Sequence, residues 1–349
     1  MEQPDIISED IEAVINSPVD WKAFKNKTVL ITGASGMLAG YMVEVLMSLN
    51  KKGYQIKVIA LERDLERAKA RFKDYLKNKD FVLLIQDVAS KITYRGKVDY
   101  AVHAASQASP KYYAPDPVGT LSANTLGTLN LLELAAKKKA NGFLFFSSSE
   151  VYGKISKSKI AESDYGYLDP LNVRSCYAES KRMGETICVS FLQQFGVPVK
   201  IIRPFHTFGP GMRLDDGRVF ADFIRDIVSK KNIEMKSDGK TVRSFCYLAD
   251  AVVAYFLVLL SGKSGEAYNI GGAKGISIFE LAKILVGLFP ENKLKVIPVK
   301  RKKSDHYMES KADHSCPDLT KIKKLGWKPK FSITEAFRRT ILSYEKGER

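Results

Sequence analysis

The chain has 349 residues, 45% of them apolar and 27% charged, a balance that suits a globular protein able to bury a sizeable core in one large or two ordinary domains. The longest apolar run, "AVVAYFLVLL" at 251–260, is too short to cross a membrane and reads as a buried helix. The net charge of +16 raises nucleic-acid binding, but the lysines lie in scattered short groups without a nucleic-acid motif, so a Lys-rich surface on an enzyme with phosphorylated ligands is the preferred reading.

In chain order, residues 1–25 are acidic, interrupted by prolines and unlike a signal or transit peptide. They are expected to be an N-terminal extension on a cytoplasmic protein. An apolar strand at Val29–Ile31 then enters the glycine turn "TGASGMLAG", followed by an apolar-periodic helix. "IKVIAL", "FVLLIQD", "VDYAVHAAS", "NGFLFFSSS" and "PVKIIRP" supply five more strands. Helical stretches such as "LERAKARFKDYL" and "NTLGTLNLLELAAKKK" separate them. Continuous apolar strands alternating with helices predict a parallel sheet covered on both faces. Beyond about residue 205 the rhythm changes. "EAYNIGG" reads as a further strand, and "SIFELAKILVGLF" and "SITEAFRRTILSY" as helices opened by a Ser cap with a Glu near the third position. The expected architecture is α/β: a Rossmann-type doubly wound parallel sheet with a smaller mixed α/β C-terminal substrate domain. The boundaries are 26–204 for the dinucleotide-binding part and 205–349 for a mainly substrate-binding part, with a return to the first domain around 245–270.

The chemistry clusters at strand ends. In the glycine turn, Gly33 and Gly36 let the backbone approach a pyrophosphate at a helix N-terminus, and Ala39 is small enough for close helix–strand packing. Ser35, Met37 and Leu38 share that turn as candidate cofactor contacts. The second strand ends in Glu62 and Arg63. An acid there accepts from the ribose hydroxyls of NAD, whereas an arginine suits the 2′-phosphate of NADP. Glu62 and NAD are preferred, with NADP left open. Asp87, with Val88 beside it, ends the third strand as a candidate adenine contact or a plain turn aspartate. His103 ends the fourth strand as a packing residue, and Ala104, Ala105 and Ser106 follow as small residues close to a ligand. Pro204 holds the equivalent place on the sixth strand. "SSSEVYG" (Ser147–Gly153) stands at the carboxyl end of the fifth strand. Its hydroxyls and Glu150 are either turn chemistry or a substrate clamp with an acid–base carboxylate. In "RSCYAESKR", Tyr177 and Lys181 stand one helical turn apart on one face. A nearby ammonium is expected to favour the phenolate, making Tyr177 a base. The four cysteines (Cys176, Cys188, Cys246, Cys316) form no C-x-x-C pair, and Asp313–Cys316 has no second cluster to complete a metal site. No metal is expected.

From Lys27 to about Tyr344 the chain resembles the extended short-chain dehydrogenase/reductases that modify nucleotide sugars, and within them the UDP-glucuronate decarboxylases. "AASQASPKYYAPDPVGTLSANTLGTLNLLELA", "SSSEVYG", "RSCYAESKRMGET" and "FHTFGPGMRLDDGRVFADFI" carry the likeness. The resemblance implies that Tyr177 is the base, Lys181 its partner and ribose contact, Ser148 the catalytic hydroxyl and Glu150 the following acid–base glutamate. Ser149 stands where dehydratases usually place an aspartate, which speaks against 4,6-dehydration. Asn124 falls at a cofactor contact. Gln107, Ser149, His206, Arg218 and Arg243 fall at substrate positions, the two arginines suited to a diphosphate or carboxylate. The chain departs from the family twice, with His206 for the usual Asn and no arginine before "PDLTK". The implied activity is NAD-dependent change of a nucleotide-linked sugar through a transient ketone, most like UDP-glucuronate decarboxylation. Epimerisation, reduction and dehydration are the alternatives within that chemistry, and a non-catalytic NAD-binding or nucleic-acid-binding protein is the rival from outside it. The family's habit also implies a homodimer through a four-helix bundle, with no nucleic acid or membrane as partner.

Overall fold

A computed structural model describes residues 5–299 and 314–347. The main sheet has seven parallel strands among the described residues: β1 (Thr28–Thr32), β2 (Lys57–Glu62), β3 (Phe81–Ile85), β4 (Tyr100–His103), β5 (Gly142–Phe146), β6 (Val199–Pro204) and the strand Ala267–Ile270. Their order is Ala267–Ile270, β6, β5, β4, β1, β2, β3. β1 pairs with β2 (Thr28 opposite Lys57) on one side and with β4 (Val29 opposite Tyr100) on the other. The strand order therefore reverses beside β1, which opens a crevice at the carboxyl ends of the strands. β1 and β5 are buried at every position, as strands covered on both faces must be. A smaller sheet joins Gly275–Ser277, Val242–Tyr247, His206–Phe208 and His314–Ser315 over one end of that crevice. No helix among the described residues is long and apolar enough to cross a membrane.

Residues 6–24, expected as an extension, are built into the core. Helix α1 (Ile6–Ile15) packs against α2 (Met37–Lys51) and the helix Leu248–Ser261. Phe24 is fully buried, with its ring 5.0 Å from Tyr100 and 5.6 Å from Phe256. Trp21 lies edge-on to Phe256 at 5.0 Å and donates its indole N–H to the Ile15 carbonyl at 2.8 Å. Asp10 is wholly buried and accepts from Tyr41, Tyr247 and the Arg339 guanidinium, the last at 2.7 and 3.0 Å. Burial raises the Asp10 carboxyl above its ordinary range, against the pull of Tyr247 and Arg339.

Two helix boundaries differ from the periodic reading. The helix expected from Asn124 begins earlier, as α4 (Pro117–Asn124), capped by the Asp116 side chain on the Gly119 N–H at 3.0 Å. It breaks at Thr125 and resumes as α5 (Leu126–Lys138). Helix α3 (Leu65–Arg71) ends there because Phe72 turns into the core and Tyr75 bonds to Glu44. The long helix α6 (Cys176–Phe195) lies beside α4 and α5 and ends on left-handed Gly196.

Candidate active site

The site grows from the β1–α2 turn. Gly33 has φ +63°, and a Cβ there would stand 2.6 Å from the Ala105 Cα. Only glycine fits, and its absent side chain brings β1 and the Ala104–Ala105 backbone together. Thr32 Oγ1 fixes that approach by accepting from the Ala104 and Ala105 N–H groups at 3.2 Å. Gly36 is the N-cap of α2, and Met37 and Leu38 open its first turn. The first N–H groups of a helix need acceptors from outside it, so this turn fits a dinucleotide pyrophosphate. Two further polar atoms, Ser106 Oγ and Asn124 Oδ1, are buried without a hydrogen-bond partner among the described residues. Orphans of this kind suit a polar ligand. The observations fit a dinucleotide along the turn and beneath α4.

The other cofactor candidates divide. Glu62 is buried, and its carboxylate accepts the Ser35 N–H, so it stands at the turn itself. Burial raises its carboxyl, with the Ser35 bond opposing. Arg63 is exposed beyond it. Asp87 bonds the Ala89 N–H at 2.8 Å, the turn-aspartate arrangement, while Val88 is buried beneath it. His103 is a packing residue: its ring nitrogens meet Thr32 Oγ1 at 2.8 Å and the Ala123 carbonyl at 3.2 Å. Burial, with the Lys181 charge adding to it, lowers His103 to about 3 and keeps it neutral. Pro204 closes β6, half-buried.

At the end of β5 the chain makes a tight 3₁₀ turn, Ser149–Tyr152, capped by Ser148 Oγ on the Glu150 N–H at 3.2 Å. Gly153 follows at φ +63°, where a Cβ would strike the Tyr167 carbonyl oxygen at 2.5 Å. The turn presents Ser148 to the Tyr177 hydroxyl. Tyr177 and Lys181 are both buried on α6. The ammonium expected to favour the Tyr177 phenolate makes its hydrogen bond elsewhere. Lys181 Nζ donates to the Phe146 carbonyl at 2.6 Å and lies 5.7 Å from the centre of the Tyr177 ring. Burial pushes Lys181 down to about 7, with Cys188 and Glu185 pulling the other way. Burial likewise pushes Tyr177 up to about 12. The Ser148 hydroxyl and the Arg218 and Arg174 charges favour its phenolate, and Glu150 opposes it. Taking a charge out of water outweighs the local partners at both positions.

On the opposite wall, Arg218 pairs with Asp216 and lies 5.0 Å over the Phe220 ring. Arg243, on Val242–Tyr247, donates to the Val242 carbonyl at 3.0 Å. His206 sits between Phe220 and Phe245, with ring centres at 6.0 and 5.7 Å, and its Nδ1 is buried without a partner among the described residues. Burial, then Arg243 and Arg218, lower it to about 3, so it is a neutral imidazole. Ser149 is half-buried in its turn. Gln107 is turned onto α4, donating to Asp116 at 2.8 Å and accepting from Thr120 at 3.2 Å.

Two residues at the site escaped the sequence reading. Tyr113 stacks on Tyr177 with ring centres 5.1 Å apart and planes 15° from parallel. Arg174 lies 5.1 Å over the Tyr113 ring and holds both Glu150 oxygens from Nη2, at 3.2 and 3.3 Å. The available signals were the aromatic pair in "PKYYAP" and the arginine three residues before Tyr177.

A family model described as the NAD dependent epimerase/dehydratase family matches residues 29–271. UDP-glucuronic acid decarboxylase 6 of Arabidopsis thaliana is 34% identical over 312 residues, covering 89% of this chain and 86% of its own. UDP-glucuronic acid decarboxylase 1 of Xenopus tropicalis is 32% identical over 334 residues, 94% of this chain and 75% of its own. Among solved structures, the UDP-glucose 4-epimerase of Thermotoga maritima superposes with a TM-score of 0.77 at 24% identity, covering 92% of this chain and 100% of that one. The fold is therefore shared over nearly the whole chain at this lower identity.

Proposed function

This chain belongs to the NAD dependent epimerase/dehydratase family, and on that premise we propose that it is an NAD-dependent decarboxylase of UDP-glucuronate. The observation that carries the site reading is the meeting of Ser148, Glu150 and Tyr177 at the carboxyl end of β5, with Lys181 buried behind them. The likeness to UDP-glucuronic acid decarboxylases, which covers most of the chain, chooses the reaction. NAD, when bound, supplies the acceptor for a hydride from the sugar C4 and gives it back. The Gly33–Leu38 turn would hold its pyrophosphate, Glu62 would meet the adenosine ribose, and Ser106 and Asn124 would supply polar atoms along it.

In this reading Tyr177 removes the C4 hydroxyl proton while Ser148 holds the oxygen. The C4 ketone makes the carboxylate on C5 that of a β-keto acid. Its C–C bond breaks as CO2 leaves, and the electron pair passes onto the C4 oxygen. Tyr177 and Ser148 hydrogen-bond that oxygen as its charge develops. Glu150 is placed to handle the proton that C5 then takes up. Arg218 and Arg243 hold the diphosphate, with His206 between them. The test is incubation with UDP-, dTDP-, GDP- and CDP-linked sugars, followed by mass spectrometry. Loss of CO2 from UDP-glucuronate is the expected result, and no turnover of it would sink the assignment. The two substrate-side departures bear on which sugar is bound, and 4-epimerisation, the second reading, shows instead as an isomer of unchanged mass.

A homodimer belongs to the same proposal. α4, α5 and α6 carry Val118, Leu126, Met183 and Phe195 at 69, 49, 51 and 55% exposure, while Cys188 and Phe191 of α6 face the interior. A second copy pairing the same helices would cover that face as a four-helix bundle. Met183→Glu with Phe195→Glu is expected to sediment as a monomer, and an unchanged dimer would refute the interface.

A further inference from the structure

The stretch "RSCYAESKR" holds a second device besides Tyr177 and Lys181. Arg174 lies in the short turn before α6 and is joined to two elements remote in sequence. Its Nη2 clamps Glu150, and its guanidinium covers one face of Tyr113, whose other neighbour is the Tyr177 ring. Arg174 and Tyr177 thus both lie against the Tyr113 ring, which is almost wholly buried with its hydroxyl on the Ala108 carbonyl at 3.0 Å. Arg174 Nε is itself buried without a partner among the described residues. A buried unpaired donor costs stability, so this side chain is not placed for stability alone.

We propose that Arg174 is a positioning residue for proton transfer: its guanidinium screens Tyr177 from the Glu150 carboxylate and, through Tyr113, fixes the plane of the Tyr177 ring. The proposal rests on the reading of Tyr177 as the base. The problem it answers is electrostatic. A carboxylate beside a phenol opposes formation of a second anion, yet both groups stand in one site. The groups facing Tyr177 are Ser148 and Glu150 from the turn after β5, Tyr113 from the loop after β4, Arg174 from the turn before α6 and Arg218 from ahead of the helix Val219–Val228. Cys176 and Lys181 adjoin it on α6. Arg218 is paired with Asp216, whereas Arg174 is the cation in direct contact with Glu150. Tyr113 stays neutral, because burial raises its hydroxyl well above the ordinary value. It therefore packs against both Arg174 and Tyr177 without adding charge.

The test reads Tyr177 directly, without a sugar. In NAD-loaded protein carrying ¹³C-tyrosine, the Tyr177 ring-carbon resonance is assigned by its loss in Tyr177→Phe and followed with pH. Arg174→Met is expected to move its midpoint up by about one pH unit or more, and Arg174→Lys to recover part of that shift. Glu150→Gln should move it down. The Arg174→Met/Glu150→Gln double variant should return close to the wild type, which the loss of a merely structural contact would not do. A wild-type midpoint in Arg174→Met, or a double variant displaced as far as the single one, overturns the proposal. If Arg174→Met fails to fold, an unmoved midpoint in Glu150→Gln overturns it equally. Failure to turn over UDP-glucuronate would refute the reaction assignment and leave this titration readable.

Discussion

Tyr177→Phe is expected to lower turnover of UDP-glucuronate by about three orders of magnitude, within the range of a lost general acid–base group, while NAD binds as before. The substitution removes one hydroxyl and keeps the ring, so the stack on Tyr113 at 5.1 Å survives. α6 keeps its burial, and Lys181 keeps its bond to the Phe146 carbonyl. In the wild type, burial holds Tyr177 up at about 12. The phenolate fraction therefore rises about tenfold per pH unit below that value, and kcat should climb toward alkaline pH. In Tyr177→Phe that climb should vanish. Wild-type-like activity in the variant, or an unchanged alkaline limb, would refute Tyr177 as the base.

The second large effect concerns stability and lies far from the site. Phe24→Ala is expected to destabilise the protein by about 3–5 kcal/mol, the usual cost of emptying an aromatic place in a core. Phe24 has no exposed surface and meets Tyr100 and Phe256 edge-on. Tyr100 begins β4, and Phe256 belongs to the helix that covers the main sheet beside β5 and β6. Removing the ring opens a cavity against both elements, and the fixed strands leave little room for collapse. Urea unfolding monitored by circular dichroism would show a lower midpoint with the slope little changed. A loss below about 1 kcal/mol would mean that residues 6–24 do not support the sheet.

Much of the fold is legible in the residues because its causes are local. Continuous apolar runs such as "VLIT" and "FLFF" reveal strands buried on both faces, since a chain cannot leave such runs in water. Gly33 and Gly36 announce the turn, because a positive φ and a Cβ-free approach are backbone requirements written in single residues. The spacing of Tyr177 and Lys181 places them on one helical face without any tertiary information. Where the reading fell short, the decisive neighbour was remote. Asp116 starts α4 before the apolar period becomes visible, and Gln107 donates to it from nine residues upstream. Nothing in residues 1–25 alone shows that Asp10 finds Arg339 across nearly the whole length of the chain.

The sequence by itself determined the parallel α/β architecture, the cofactor turn and the placing of Tyr177 and Lys181 on one helical face, because periodicity, glycine geometry and helical spacing act within a few residues. The tertiary structure alone decided the state of those groups. Burial, not the neighbouring ammonium, dominates the ionisation of Tyr177 and Lys181, since desolvation depends on everything packed around a side chain. It also brought Arg174 and Tyr113, which no local pattern links, onto the two groups whose charges must be balanced.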